Sequence, residues 1–409
     1  MNRVGIEKIN LYGTSMCLDL GDLAVARGKD PQKVAHDYLI TTRSLNPVWE
    51  DAVTMGANAA LGMLTEQDKK DIGMLIVGTE GSVDFGKPIS TNIHSLIGLG
   101  PHVRNYETKF ACYSGCAALD TAVNWVASGL NKGKKALVIA TDFSRKHFNL
   151  LEEFVMGGVG AAYLVSETPK ILEFETAKKG TWTTDIYDTF RPTAVDEVGN
   201  NEVSLFSYMD AVTGSYNEYL AQNTDTVDFN TYFSYFVYHT PFPGITYQAH
   251  RTLCRDHAPK KKPELQDDFD RRVTPALRFA KRVGSCYGAS NFVGLASVLM
   301  SKPDIKEGTR IGFFSYGSGA LGEFYSGKVL PGAHEIVKAQ KIDEALDARR
   351  RCTVAEYEAT ENLRETYIEN PNFVPDTSLL GGWYQKHYAG SGLVVLKEVK
   401  DFYRTYVRA

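Results

Sequence analysis

The stretch Tyr106-Glu-Thr-Lys-Phe-Ala-Cys112-Tyr-Ser-Gly-Cys-Ala-Ala-Leu-Asp-Thr-Ala-Val-Asn-Trp125 constrains this chain more than any other. An extended lead-in runs into Cys112, and behind it the residues turn small and then apolar. Ala117, Ala118, Leu119, Ala122, Val123 and Val126 recur with helical spacing, and their small size predicts a tightly packed, buried helix. Cys112 then stands at or just before a helix N-terminus, where free N–H groups and the helix dipole favour a thiolate. A cysteine activated in this way is a nucleophile for an acyl group. Taken alone, the stretch also fits a buried structural cysteine.

Around this helix the chain alternates short apolar runs with helical patterns. In the first half, Val4–Tyr12 reads as a strand, Asp30-Pro31 opens a helix to Leu39, and Asp51–Leu64 reads as an Ala- and Met-rich helix. Thr65-Glu-Gln-Asp68 is a capping-box start, Met74–Thr79 a strand ending at Glu80, and Ser90–Leu99 a helix. Ala136–Ala140 and Gly158–Val165 are further buried strands. The second half repeats this order: strand Thr231–Tyr238 ending at His239, helix Thr246–Arg255, small-residue helix Gly284–Met300, and strand Arg310–Tyr316 running into Gly317-Ser318-Gly319. Strands separated by helices predict an α/β fold with largely parallel sheets, and the repeated order suggests a duplication. Trp182–Asn223, aromatic and acidic, reads as an insertion shaping a mouth or cap, and Gln340–Ala409 as a C-terminal surface excursion. With no linker between them, the halves are expected to fuse into one globule.

Composition narrows the function. A chain of 409 residues with 43% hydrophobic and 23% charged residues has room for two core-bearing units. A net charge of −4 excludes a whole-protein field for nucleic acid. Lys260-Lys261-Lys262 and Arg349-Arg350-Arg351 read as solvated surface, with a local dock for an acidic carrier protein as the alternative. The six cysteines (Cys17, Cys112, Cys116, Cys254, Cys286, Cys352) lack zinc-like pairing, so no metal is expected, and they suit a reducing compartment. No apolar leader or membrane-length run is present, which predicts a cytoplasmic protein that binds no membrane.

Functional groups of α/β sheets collect at the carboxyl ends of strands. Glu80, Cys112 and His239 all fall at such positions. A cysteine can hold an acyl group as a thioester, a carboxylate can remove the proton α to its carbonyl, and a histidine can orient an incoming carbonyl. Together they make a carbon–carbon bond of Claisen or aldol type. Each also has a plain structural reading: Glu80 as a loop charge or cap, His239 as a polar packing residue.

Gly78-Thr-Glu80-Gly-Ser-Val-Asp84, Ala111-Cys112-Tyr-Ser-Gly, His239-Thr-Pro-Phe, Phe314-Ser-Tyr-Gly-Ser-Gly319 and Gly322-Glu-Phe-Tyr-Ser326 together resemble the hydroxymethylglutaryl-CoA synthases of the thiolase superfamily. Val83–Lys87, Asp188-Thr-Phe-Arg-Pro-Thr193, Leu205-Phe-Ser-Tyr208 and His239–Arg251 are similar to a branch of it, the hydroxymethylglutaryl-ACP synthases of polyketide β-branching cassettes. The resemblance implies thiolase-like duplicated βαβαβαββ halves forming a five-layered α-β-α-β-α core. One half, residues 1–166, would carry Glu80 and Cys112. The other, 167–409, would carry His239, with an insertion at about 180–228 and an extension at about 335–409. It implies that Cys112 accepts acetyl, Glu80 forms the acetyl enolate and reprotonates the tertiary alkoxide, and His239 fixes the acceptor. Backbone N–H groups at Cys112 and Ser318 would form an oxyanion hole, with Gly317, Ser318 and Ser285 binding substrate. Water would finally free a carboxymethyl branch. No cofactor is implied beyond acyl groups delivered as phosphopantetheine thioesters of acyl carrier protein or as CoA. The implied partners are donor and acceptor carrier proteins and a second copy in a homodimer.

The chain departs from the family pattern in four places. Lys146 stands at a tyrosine position, and Asn149-Leu-Leu-Glu-Glu-Phe-Val-Met-Gly157 replaces a small polar stretch with bulky apolar residues. Ser285 stands for an asparagine, and Gly244 for a lysine of CoA-using relatives. A carrier-bound acceptor in place of free CoA accounts for the last. The altered loop and Ser285 leave open a ketosynthase-like transferase with another donor or acceptor. A non-catalytic scaffold is the remaining alternative, against which the retention of Glu80, Cys112 and His239 counts.

Overall fold

The computed structural model describes residues 3–81 and 83–409; Met1 and Asn2 of the N-terminal reading, and Ser82 of the Gly78–Asp84 motif, lie outside the described residues. The first half runs β1 (Gly5–Tyr12), α1 (Ala52–Leu61), β2 (Ile72–Gly78), α2 (Ile89–Leu96), β3 (Arg104–Thr108), α3 (Ser114–Ala127), β4 (Lys135–Phe143), β5 (Gly158–Ser166). The second runs β6 (Leu172–Thr183), α4 (Asn201–Gln222), β7 (Tyr235–Tyr238), α5 (Ile245–His257), α6 (Ser290–Ser301), β8 (Arg310–Gly317), β9 (Leu321–Val329).

These nine strands hydrogen-bond in the order β3-β2-β4-β5-β1-β6-β9-β8-β7. In the first half β2 is parallel to β3 and β4, while β5 is antiparallel to β4 and β1. The second half repeats the pattern, with β8 parallel to β7 and β9 antiparallel to β8 and β6. So β6, β7, β8 and β9 occupy the places of β1, β2, β4 and β5, which bears out the duplication. The halves meet where Gly5 pairs with Glu173 and Ile6 with Leu172. One strand breaks the symmetry: where the first half has β3, the second passes through short turns at Thr274–Leu277, Ala280–Val283 and Tyr287–Ala289.

Alternating residues of each strand feed different layers, as the two-residue period demands. Met74, Ile76, Ala136, Val138 and Ala140 face α3 and α6, together with Ile311 and Phe313 of the other half. Leu75, Val77, Leu137 and Ile139 face α1 and α2 on one outer side. Phe236, Tyr238, Phe314 and Phe324 face α4 and α5 on the other. The result is the five-layered thiolase-like core, with the two small-residue helices in the middle. Across that middle, Tyr163 of β5 stacks on Phe292 of α6 with ring centroids 3.7 Å apart.

Six expectations need correction. The sheet read as largely parallel is mostly antiparallel, since five of its eight strand pairings run that way. The strand read over Thr231–Tyr238 is confined to Tyr235–Tyr238, because Asp228 accepts backbone bonds from Thr231 and Tyr232 and closes a turn. The helix read from Gly284 starts at Ser290, since Gly284 and Tyr287 have φ of 77° and 48°, values a helix cannot contain. Within the segment read as an insertion, Trp182 belongs to β6, and α4 buries Tyr208, Ala211, Val212, Ser215, Tyr216 and Tyr219 against the sheet. Only residues 184–200 form a strap outside the layers. The C-terminal segment is no surface excursion: Leu380, Tyr388 and Val395 are buried with Met16, Leu18 and Trp49, and Arg350–Cys352 pairs in parallel with Met16–Leu18. Arg349, read as solvated, is buried there and donates to Ser44, Thr42 and the carbonyls of Leu346 and Arg282.

Phe292→Ala removes the ring that fills the centre of this core, and is expected to lower stability by about 3–5 kcal/mol in urea unfolding.

Candidate active site

Three strand ends of both halves converge on one turn. Between β3 and α3 the chain doubles back through Ala111, whose φ of 38° is a left-handed value unusual for alanine. The turn closes by bonds from the Tyr113 and Ser114 N–H groups to the Phe110 and Ala111 carbonyls, at 2.9 and 3.1 Å. Gly78 at the end of β2 and Gly317 at the end of β8 flank it. A Cβ at 78 would meet the Ser114 carbonyl oxygen at 2.5 Å, and one at 317 the Phe110 carbonyl oxygen at 2.7 Å. Only glycine lets both strands approach so closely. Gly317 therefore backs the turn, while Ser318 and Gly319 face the cavity beyond it.

That cavity has a volume of about 660 Å³ and is lined by Glu80, Cys112, His239, Ser285 and Ser318, among others. The structure thus brings together the three side chains expected to carry chemistry. The Cys112 thiol donates to Glu80 Oε2 at 3.2 Å. Glu80 is held from behind by Asp142, at the end of β4. Asp142 Oδ1 accepts from Thr79 Oγ1 at 2.6 Å and from the Glu80 and Gly81 N–H groups at 3.0 and 3.2 Å. His239 follows β7; its N–H donates to the Phe314 carbonyl at 2.7 Å, and its own carbonyl accepts from Tyr208 Oη at 2.7 Å. Its ring is buried, and Nδ1 has no partner among the described residues.

The electrostatics revise one expectation. Burial, and then the neighbouring Glu80 charge, push the Cys112 thiol well above its ordinary range. The helix start two residues on does not outweigh them, because desolvation and a carboxylate both disfavour a thiolate. Cys112 rests as a thiol with its proton directed at Glu80. Glu80 is itself raised, first by burial and also by Glu197, while Arg191 and the thiol's hydrogen bond oppose the rise. Burial and the Glu80 charge push Asp142 up to about 8. Burial alone drives His239 down to about 3, so its imidazole is neutral at every physiological pH.

Other residues of the site carried no role in the sequence reading. Arg191 and Glu197 come from the strap, and Tyr287 from the turns before α6; all three line the cavity. Arg191 Nη2 lies 3.2 Å from Glu80 Oε1 and 2.8 Å from Glu197 Oε2. Asp188 anchors the strap by accepting from Tyr316 Oη at 2.6 Å and from the Gly319 N–H at 2.9 Å. The only pointer to Arg191 and Asp188 was their place in the Asp188–Thr193 resemblance.

The departures from the family pattern also take up positions. Leu151, Val155 and Met156 line the cavity, and the Ser285 N–H donates to the Val155 carbonyl at 2.8 Å. Lys146 turns away from it and pairs with Glu365. The one cluster of metal-ligating side chains among the described residues is His250, Cys254 and Asp268, behind β7. Its His250 is taken up by Tyr238 and Asp268, both at 3.0 Å, and Arg272 approaches Asp268 at 3.1 Å, a neighbour a cation would not tolerate.

A thiolase-like duplicated core with a cysteine and a carboxylate in contact inside a cavity defines a cysteine-dependent acyl-transferring enzyme. Comparison with known proteins agrees. Family models for the hydroxymethylglutaryl-coenzyme A synthase N-terminal and C-terminal regions match residues 1–168 and 258–408. The polyketide biosynthesis 3-hydroxy-3-methylglutaryl-ACP synthase PksG of Bacillus subtilis is 35% identical, with 99% of each chain covered. The hydroxymethylglutaryl-CoA synthase of Enterococcus faecalis is 34% identical over 87% of this chain and 91% of its own. The curacin biosynthetic pathway HMG synthase, solved in complex with acetyl donor-ACP, superposes with a TM-score of 0.95 at 36% identity over 100% of both chains. The chain belongs to the hydroxymethylglutaryl-CoA synthase family, acyltransferases that form carbon–carbon bonds between thioester-bound acyl groups. Among the described residues no helix is long and apolar enough to cross a membrane.

A buried thiol facing a carboxylate should alkylate slowly. At pH 7–8 Cys112 is expected to react with iodoacetamide more slowly than a free small-molecule thiol, and faster in Glu80→Gln than in the unaltered protein, as peptide mass spectrometry would read. Asp142 supplies a second test. Its folded pKa is raised, so the stability it supports is present at low pH and lost as pH rises toward about 8. Asp142→Asn is therefore expected to gain stability relative to the unaltered protein as pH increases from 5 to 9.

Proposed function

We propose that the protein is a β-branching synthase acting on two carrier-protein thioesters: it adds a Cys112-bound acetyl group to the β-ketone of an acyl-carrier-bound polyketide intermediate. The observation that carries this reading is the 3.2 Å contact between the Cys112 thiol and Glu80, in a cavity shared with the neutral His239. In the first step the thiol proton passes to Glu80 Oε2, and sulfur attacks the donor thioester carbonyl. The tetrahedral intermediate expels the donor's thiolate, which leaves with a proton, and acetyl-Cys112 remains. Cys112 and Ser318 both line the cavity, and in this reading their backbone N–H groups hold the oxyanions.

Glu80, ionised again, then takes a proton from the acetyl methyl group. The resulting enolate carbon attacks the acceptor ketone, and the tertiary alkoxide recovers its proton from Glu80. His239, uncharged and with an unpartnered ring nitrogen, hydrogen-bonds the acceptor carbonyl and fixes its pose. Water finally cleaves the Cys112 thioester and leaves a carboxymethyl branch.

Two features favour a carrier-borne acceptor. A side chain at 244 would meet the Asp37 carbonyl oxygen at 2.4 Å, so the lysine of CoA-using relatives has no place here. The wall built from Leu151, Val155 and Met156 suits an extended apolar acyl chain. We further infer a cytoplasmic homodimer. β3, at the open edge of the sheet, leads directly into the Cys112 turn and offers a pairing surface beside the site.

Incubation with acetyl-ACP and acetoacetyl-ACP is expected to give a hydroxymethylglutaryl adduct on the acceptor by intact-protein mass spectrometry. Acetylated Cys112 without a condensed product would instead assign a ketosynthase-like transfer. Glu80→Gln is expected to lose condensation by about 10²–10⁴-fold. The pH–rate profile should show no inflection near 6.5, because His239 does not titrate there. Sedimentation at micromolar concentration should give twice the chain mass.

A further inference from the structure

The strap over residues 184–200 does more than cover the cavity, because it reaches the one carboxylate on which the chemistry turns. Glu80 has two oxygens with different partners. Oε2 faces the Cys112 sulfur at 3.2 Å, and Oε1 faces Arg191 Nη2 at 3.2 Å. The guanidinium is in turn held by Glu197 Oε2 at 2.8 Å and lies over the Tyr287 ring, 5.6 Å from its centroid. Neither Nε nor Nη2 of Arg191 makes an aligned hydrogen bond among the described residues, so the hold is ionic. The backbone around it is tied down through Asp188, which binds Tyr316 and the Gly319 N–H on the opposite wall.

We propose that Arg191 is a positioning residue for the condensation: it grips Glu80 Oε1, keeps Oε2 turned to the Cys112-bound acetyl group, and stabilises the carboxylate as a base, with Glu197 and Tyr287 holding Arg191 in turn. This rests on the reading of Glu80 as the acid–base group. The groups facing Glu80 support the assignment. Asp142 from the end of β4, Glu197 from the strap and the Cys112 thiol are acidic or can become so. Among the described residues Arg191 is the cation in contact with the carboxylate. Arg145, on the loop after β4, adds a second positive charge near Arg191 and Glu197, and His147 Nε2 lies 3.9 Å from Glu197 Oε2. Without Arg191, burial and two acidic neighbours would favour a protonated Glu80, which cannot abstract a proton.

The test is single-turnover condensation of acetyl-Cys112 enzyme with acetoacetyl-ACP, followed against pH, for the unaltered protein, Arg191→Met, Arg191→Lys and Glu197→Gln. A base must be ionised, so the rate rises with pH through the pKa of Glu80. Arg191→Met is expected to move that acid limb up by about one unit and to slow condensation at pH 7 by about tenfold or more. Arg191→Lys keeps the charge and should keep the limb close to that of the unaltered protein. Glu197→Gln removes a like charge and should move the limb down. The half-saturating acceptor concentration should stay within about threefold in all three, since Arg191 acts through Glu80. An unaltered enzyme that condenses, with variants that keep its limb or change acceptor saturation alone, overturns the role of Arg191 and leaves the Glu80 reading intact. An unaltered enzyme that never condenses overturns the Glu80 reading, and the role of Arg191 with it.

Discussion

Two buried helices of small residues, α3 and α6, lie between the half-sheets, and everything at the active site depends on how closely the sheets close upon them. A bulkier middle layer would separate β2 and β4 of one half from β7 and β8 of the other. Because the layer is thin, the carboxyl ends of strands from both halves arrive at the Cys112 turn. Glu80 and Cys112 come from one half and His239 from the other, so the three groups could not meet in a half alone. The duplicated frame thus supplies the site by opposition: one half brings the thiol and the carboxylate, the other the imidazole.

The same closeness sets the charge state of the site. The Cys112 sulfur, the carboxyl groups of Glu80 and Asp142 and the His239 imidazole sit where water is largely excluded, and burial favours the neutral form of each. The resting site therefore holds a thiol rather than a thiolate and an uncharged imidazole, while at Glu80 burial opposes the charge and the Arg191 guanidinium supports it. Such a site does not keep a reactive sulfur anion exposed between turnovers. On the proposed reading it forms the nucleophile when a donor thioester is in place to receive it, since Glu80 is already in contact with the thiol.

Much of this was legible in the sequence, for identifiable reasons. Strands buried on both faces announce themselves as apolar runs; β5 and β8 were found to within one residue at each end, and β2 and β4 to within three. Caps such as Asp30-Pro31 and Thr65–Asp68 fixed helix starts because side-chain geometry at a helix end is local. Glu80, Cys112 and His239 were found because strand ends are where α/β folds display chemistry. What stayed hidden depends on contacts between distant segments. Nothing local reveals that Arg191 reaches Glu80, that Asp142 braces it, or that Arg349 and Tyr388 are buried under the C-terminal segment. The thiolate expectation failed for the same reason. A helix terminus can be read from sequence, but the desolvation and the facing carboxylate that outweigh it cannot.

The missing third strand of the second half has its own consequence. Because turns replace it, the chain at Ser285 is free to lean on Val155 and bridge to Met156, so the Leu151–Met156 wall and the Ser285 segment form one continuous surface. If the acceptor lies along this surface, as proposed, its selectivity is inherited as a matched pair of segments far apart in sequence. Transplanting either one into a relative would bring a mismatched seam, so diversification of this pocket has to proceed by coordinated change on both sides of it.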